Sequence, residues 1–524
     1  MGRRAGSPRL RLNMTAPSPL LSSGRQSVAS LLAYRAESTP DRPFLMFDFG
    51  DDIVTLTYAA TDRLAGRAAV TLHANGIGRG ERVLVVLPNS VEFFAVWFGA
   101  AKVGAVIVPI SPDSSVDEIR YVIEHAGCSA VVCGSGSRNL VEQAAPKTRF
   151  ITVGIDAGDG PSDHPATQLE PTETLSIMYT SGSTGRPKGV VVTHANYLHA
   201  GATVAAQLRM RPDDRWLVVL PLFHANAQFY CVMSALISGA SVAVAPRFSA
   251  SRWADQVVHN DVTLASLFAA PMRMILAQNR SASDSQNRLR AVLFAQNLTQ
   301  SQLDEFEERF GGPLLQWYGM TETVAPVAMN PLYGRRKGMA LGLPVVSGGV
   351  RVLGEDGTEA GAHGSGELWV ACIPGITGMS EYYRDPESTA ATVHGGWLRT
   401  GDMVRLDDDG YLLFHDRVKH MIKRAGENIA AAEVERVVNE HPAVFESAAV
   451  GVPDPVRDEQ IKVYVVVREG HTLTDDELLA HCKTFLAPYK VPSLIQFVED
   501  LPRTSVGKIQ KHRLSTASLS TPVP

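Results

Sequence analysis

The residues best placed to do chemistry form one run, Thr180, Ser181, Gly182, Ser183, Thr184 and Gly185, followed by Arg186, Pro187, Lys188 and Gly189. Small residues in succession bring hydroxyl donors and bare backbone N–H groups close to an oxyanion, and Lys188 adds a positive charge. This is chemistry for cradling phosphates, although no Gly-x-x-x-x-Gly-Lys-Ser/Thr loop occurs in the chain. A flexible Gly/Ser linker has a similar composition. Against that reading stand the strand-like flanks 175–179 and 190–192, and Pro187 and Lys188, which a spacer does not need.

A second group is Trp317, Tyr318, Gly319, Met320, Thr321 and Glu322. It offers an aromatic ring to stack on a purine, a hydroxyl for a phosphate oxygen, and a hard carboxylate ligand of the kind Mg²⁺ takes beside nucleotide phosphates. Read alone, the same hexapeptide is a core aromatic followed by a helix cap. A third group joins Asp402 to Arg417: a carboxylate accepts from both ribose hydroxyls, and a guanidinium forks onto ribose or phosphate oxygens. An isolated Asp or Arg is more often a surface ion-pair residue.

The elements that must position these groups alternate in type. Residues 58–75, 90–103 and 117–126 read as helices, and 82–87, 105–110 and 130–133 as strands. Such alternation predicts an α/β fold, a large N-terminal domain of mostly parallel sheets flanked by helices, with ligands at the carboxyl ends of strands. Residues 156–171, rich in Asp, Gly and Pro, read as a surface connection into the phosphate run. Beyond about residue 418 the pattern changes: helices over 432–440 and 478–485, strands over 448–452, 461–467 and 496–498. That describes a smaller α+β domain of ordinary independent size.

At 524 residues the chain exceeds what one core usually organises. With 20% charged residues and a net charge of −5 it has no cationic excess for a nucleic-acid partner. The apolar stretch 93–110 is interrupted by Gly99, Lys102 and Gly104, so a buried helix and strand are expected and no membrane span. Five scattered cysteines suit a reducing cytoplasm and neither a disulfide framework nor a Cys-x-x-Cys metal site. Residues 1–26 are basic and rich in Ser and Pro; a transit peptide shares that composition, but the prolines favour a disordered leader ahead of a second candidate start at Met14.

Taken together, these segments closely resemble the acyl-adenylate-forming superfamily: acyl-CoA synthetases, firefly-type luciferases and peptide-synthetase adenylation domains. The resemblance runs from about Leu56 to the Pro-Arg-Thr-x-x-Gly-Lys pattern ending at Lys508, with the motifs in family order. It implies that the 180–188 loop and Thr321 bind ATP phosphates, Tyr318 flanks adenine, and Glu322 holds Mg²⁺. Asp402 and Arg417 become the ribose pair, Lys419 the hinge, and Lys508 the catalytic lysine of a mobile C-terminal domain. The implied division is 27–417 for the ATP- and acyl-binding domain and 418–524 for the mobile one. His224, in Pro-Leu-Phe-His-Ala-Asn, matches a motif closing one side of the acyl pocket. Lys423, Arg424, Ala425 and Gly426 match the CoA-ligase form of the segment lining the pantetheine tunnel, and the peptide-synthetase pattern is absent there, so coenzyme A is the expected thiol. Lys423, Arg424, Lys511, His512 and Arg513 either steer CoA phosphates or form a solvated basic face.

One departure stands out. Where the superfamily usually has a Gly-Gly-Ala-Pro-Leu turn, this chain has Phe294, Ala295, Gln296, Asn297 and Leu298. The wider segment resembles the carnitine and crotonobetaine CoA-ligase subgroup. Added volume at Phe294 and Ala295, and amides at Gln296 and Asn297, point to a polar or bulky functionalised acid, or to weakened ATP binding. The expected function is an ATP-dependent acyl-CoA ligase using ATP, Mg²⁺ and coenzyme A on a small carboxylic acid, with a homodimer possible. Two alternatives stay open: a ligase performing one half-reaction, and a nucleotide-binding sensor without turnover.

Overall fold

The computed structural model describes residues 26–50, 52–153, 167–180, 187–295, 298–346, 348–354, 356–361, 363–417, 421–424, 427–454, 458–503 and 509–515. The expected leader therefore lies almost wholly outside the described residues. Two sheets and the helices between them make most of the large domain. In the five-stranded one the order is Ala130–Cys133, Arg82–Val86, Val106–Pro109, Thr174–Thr180, Lys188–Thr193, parallel except for the last pair. That antiparallel pair is the hairpin whose connection is the phosphate run.

The second sheet has nine strands among the described residues. Its centre, Leu314–Tyr318, Ala291–Ala295, Leu264–Phe268, Arg215–Val218, Ser241–Val244 and Pro43–Asp48, is parallel throughout, with antiparallel strands at both edges. Parallel strands buried on both faces need continuous apolar runs, which Ala-Val-Leu-Phe-Ala and Ser-Val-Ala-Val supply.

The apolar stretch resolves as expected into helix Val91–Val103, capped by the Ser90 hydroxyl on the Phe93 N–H and ended by Gly104 at φ +74°, then strand Val106–Pro109. Nearly every residue of that helix is buried, because it lies within one apolar cluster drawing residues from both sheets. Gly99 permits this: a Cβ there would stand 2.7 Å from that of Ala68 in helix Tyr58–Ala74. No described helix is long and apolar enough to cross a membrane.

A third, antiparallel sheet follows, built on Ser365–Ala371, Trp397–Leu406 and Leu412–Arg417. Its last two strands are joined by a tight turn in which Gly410, at φ +81°, donates its N–H to Asp407 O. The smaller C-terminal domain packs helices Ala431–Asn439 and Asp475–Phe485 on a sheet centred on Val444–Asp454 and Asp458–Val467.

Candidate active site

Tyr318 ends strand Leu314–Tyr318 and donates its hydroxyl to Asp402 Oδ2 at 2.5 Å. Asp402 is buried in strand Trp397–Leu406, and the register of the antiparallel pair sets Arg417 opposite it. Thus the adenine and ribose motifs, 84 residues apart, meet in one hydrogen bond. Past Tyr318 the chain turns tightly. The Met320 N–H donates to Thr323 Oγ1 at 3.0 Å, and Val324 sits at φ +63°, a region β-branched residues rarely enter. The turn buries Glu322 while leaving Thr321 half-exposed.

Glu322 Oε1 accepts from the Tyr382 hydroxyl at 2.9 Å. Lys188 Nζ lies 5.0 Å from the centre of the Tyr382 ring and donates to Ser388 Oγ at 2.6 Å. Burial, with the Glu322 carboxylate beside it, pushes the Tyr382 phenol up, so it stays a hydrogen-bond donor. Sequence reading missed Tyr382 and Ser388. They belong to no motif and reach the site because the segment around Tyr382 pairs with strand Lys188–Thr193, the Tyr383 N–H donating to Gly189 O at 2.7 Å.

The phosphate run is anchored at both roots. Tyr179, before Thr180, places its hydroxyl 2.7 Å from His125 Nδ1, and the Tyr121 hydroxyl donates to Pro187 O at 2.9 Å. Desolvation lowers the His125 pKa and favours the neutral ring. Ser181, Gly182, Ser183, Thr184 and Gly185 lie outside the described residues, as do Gln296, Asn297, Lys419, Ala425, Gly426 and Lys508; so do the side chains of Arg417 and Lys423. On either side of the Lys508 segment, Arg503 pairs with Ile509 and the Gln510 N–H donates to Pro502 O at 2.7 Å.

Magnesium fits these residues. Mg²⁺ takes one or two carboxylates beside phosphate oxygens and water. Among the described residues Glu322 Oε2 takes part in no hydrogen bond, while Oε1 is fixed by Tyr382. A dedicated cage is not needed, and no cluster of three or more His, Cys, Asp or Glu forms among the described residues.

His224, expected at the acyl pocket, packs its ring 4.5 Å from that of Phe223, and burial pushes its pKa down to about 4, leaving a neutral imidazole. It precedes a π-helical turn, Asn226–Val232, buried throughout. Such turns occur disproportionately at functional sites.

Two sequence expectations are corrected. Phe294 adds no volume to the acyl pocket. In strand Ala291–Ala295 side chains alternate, so Val292 and Phe294 enter the cluster with Trp253 and Phe306, whereas Leu293 and Ala295 face the cluster with Tyr230 and Trp317. Arg424 does not reach for CoA phosphates either; its guanidinium donates to Tyr489 O at 2.6 Å, Val491 O and Ser493 Oγ within its own domain. Lys511 likewise pairs with Glu435 at 2.6 Å. A cavity of about 440 Å³ opens between the two domains, lined by Arg273, Leu298, Met339, Phe414, Arg436 and Lys490. It touches none of the nucleotide-site residues.

The chain belongs to the AMP-binding enzymes: that family matches residues 32–383, and its C-terminal domain matches residues 433–508. A crotonobetaine/carnitine–CoA ligase of Salmonella heidelberg is 34% identical over 495 residues, covering 90% of this chain and 96% of the relative. ATP-bound MatB from Rhodopseudomonas palustris superposes with a TM-score of 0.84 at 27% identity, covering 93% of this chain and 98% of the other. The o-succinylbenzoate CoA synthetase of Bacillus subtilis, in complex with its acyl-adenylate intermediate, gives 0.81 at 28% identity over 93% and 98%. Within the family this chain is an ATP-dependent, AMP-forming acyl-CoA ligase that works through an acyl-adenylate, with ATP, Mg²⁺ and coenzyme A.

Proposed function

We propose that this ligase activates a small carboxylic acid carrying a polar substituent, and that its residues divide the work as follows. Tyr318 and Asp402, with Arg417, seat the adenosine. Thr180, the 181–185 run, Lys188 and Thr321 align the triphosphate. Glu322 would hold the magnesium ion, which supplies charge neutralisation on the phosphate oxygens. The substrate carboxylate oxygen attacks the α-phosphorus in line, the bond to pyrophosphate breaks, and Lys508 balances charge on the carboxylate and α-phosphate oxygens. Next the CoA sulfur attacks the acyl carbonyl, AMP departs, and the thiol proton passes to solvent. A hinge at Lys419, between units 27–417 and 418–524, exchanges the two half-reactions, in a reducing cytoplasmic setting that suits five unpaired cysteines.

The observation that carries this reading is the Tyr318–Asp402 hydrogen bond set beside the Glu322–Tyr382–Lys188 chain: the groups suited to adenosine and those suited to metal and phosphate adjoin across the turn from Tyr318 to Glu322. The functionalised acid rests on the relatives named for crotonobetaine, carnitine and o-succinylbenzoate. Lys508→Ala tests the division of labour. Pyrophosphate release should fall by about 10²–10³, while conversion of a supplied acyl-adenylate to acyl-CoA continues. Equal loss of both halves would overturn it.

A further inference from the structure

Buried tyrosines in this protein satisfy their hydroxyls. Tyr58 donates to Ala240 O at 2.6 Å, Tyr197 to Gln228 Oε1 at 2.6 Å, Tyr382 to Glu322, Tyr464 to Leu514 O at 3.0 Å and Tyr411 to Arg335 O. Tyr230 is the exception. It is 3% exposed, yet its hydroxyl makes no hydrogen bond among the described residues. The oxygen is not sealed in the interior, so a group that enters beside it can complete its hydrogen bonding.

Its position says what that is. Tyr230 lies in the π-helical turn Asn226–Val232, where the Met233 N–H reaches back five residues to Gln228 O. Its ring meets the Trp317 ring edge-on, centroids 4.5 Å apart. Its hydroxyl oxygen would stand 3.3 Å from a Cβ at Gly319, which brings it against the backbone immediately after Tyr318. The Trp317 indole N–H, on the touching ring, is buried without a partner. Alone that means little, since the Trp97 and Trp253 indoles share the condition inside apolar clusters. A hydroxyl and an indole N–H, both unmatched on touching rings beside Gly319, are a different matter.

The charge around Tyr230 narrows the ligand. Burial alone raises its phenol, no charged group among the described residues acts on it, and His224, just before the turn, is kept neutral. An anionic substituent would be desolvated there without a counter-charge.

We propose that Tyr230 determines acyl specificity: its hydroxyl, seconded by the Trp317 indole, hydrogen-bonds a neutral hydroxyl or carbonyl oxygen on the acyl chain. The inference rests on reading this pocket as the acyl-adenylate site. It narrows the polar acid to one bearing an uncharged oxygen.

The probes are hexanoate, 3-hydroxyhexanoate, 4-oxohexanoate, 5-oxohexanoate and 4-(trimethylammonio)butanoate. Each is assayed for kcat and KM of acyl-CoA formation, and for binding as its acyl-sulfamoyl adenosine, a stable mimic of the acyl-adenylate that needs no turnover. The wild type should favour at least one oxygenated probe over hexanoate by about ten- to hundredfold. Tyr230→Phe, which keeps the ring and removes one oxygen, should erase that preference while leaving kcat and KM for hexanoate in place. Tyr230→Ala, which opens space, should change both probes. A preference for the oxygenated probe that survives Tyr230→Phe overturns the role of Tyr230 and leaves the polar-acid reading intact. A preference for the ammonium probe that survives Tyr230→Phe assigns recognition to the ring faces and overturns it too. A wild type favouring hexanoate in both assays removes the polar-acid reading together with this one. Selective binding of an oxygenated mimic, lost in Tyr230→Phe, upholds Tyr230 even where no acid is turned over.

Discussion

The nucleotide side of the site and the small domain that faces it are held by different forces. On the large domain, Tyr318, Asp402, Glu322 and Tyr382 issue from strand ends or from segments paired to strands, and they lock one another by short hydrogen bonds in a buried setting. The small domain meets the large one through charge. Arg273, in helix Ala269–Leu276, pairs with Glu446 of strand Val444–Asp454, and Glu446 also pairs with Arg503, in the segment leading toward Lys508. Burial pulls the Arg273 guanidinium down while Glu446 holds it up. Groups that must sit still through a phosphoryl-type transfer are preorganised by packing. A domain that must let go is better held by a few ions, which water can take back when the contact opens.

Breaking the packed side should produce the largest effect. Glu322→Gln keeps the shape and a hydrogen-bond acceptor for Tyr382 but removes the charge offered to the metal. Pyrophosphate release should drop by about 10²–10³, with AMP affinity nearly unchanged because the Tyr318–Asp402 bond is untouched. Equilibrium binding of AMP beside a pyrophosphate assay decides it. A parallel loss of AMP affinity would mean that the metal and adenosine halves of the pocket are one structural unit.

Breaking the charged side should have a smaller effect of another kind. Glu446→Gln leaves Arg273 and Arg503 close together without the anion between them. A broken buried pair costs about 3–5 kcal/mol if the geometry persists, so the domains should part instead, shifting the closed population by about tenfold or more. Distances between labels on the two domains would report the opening, and AMP affinity should stay constant. An unchanged distance distribution would show that the interface is held elsewhere.

The same contrast explains what could be read from the sequence. Tyr318, Glu322 and Asp402 were legible because their chemistry is local to short runs, and strand termini place such runs at a ligand. Tyr382 was not legible: it becomes a site residue only through pairing of its segment with strand Lys188–Thr193, a contact across almost 200 residues. Phe294 was misread although the means to place it were present, since the two-residue period of 291–295 puts it on the same face as Val292. Arg424 and Lys511 carry the charge expected for CoA phosphates, but a charge says nothing of its partner, and both partners lie within the small domain. Tyr230 belongs to no motif; the π-turn and the unmatched hydroxyl exist only in three dimensions.

The mildest way to sharpen the comparison is pH. The large domain buries His194 and half-buries His199 and His224, each pushed down from 6.5 to about 4 by desolvation. In the unfolded chain they take up protons near 6.5, so between that value and about 4 the unfolded state binds more protons and stability falls as pH falls. Each histidine can remove at most about 1.4 kcal/mol per pH unit inside that window. In the small domain, burial raises the Glu435 carboxyl above its usual 4.5, despite Lys511 beside it. There the native state binds the proton first, so its contribution to stability grows as pH falls; a lowered His441 offsets part of that gain. Lowering the pH from about 7 to about 5 should therefore reduce the melting temperature of the large domain by a few degrees and move the small domain less. Calorimetry of the whole chain, with hydrogen exchange to assign each transition, gives the answer. Equal shifts in both domains would mean that acid acts on the contact between them and not on the histidines of the large domain.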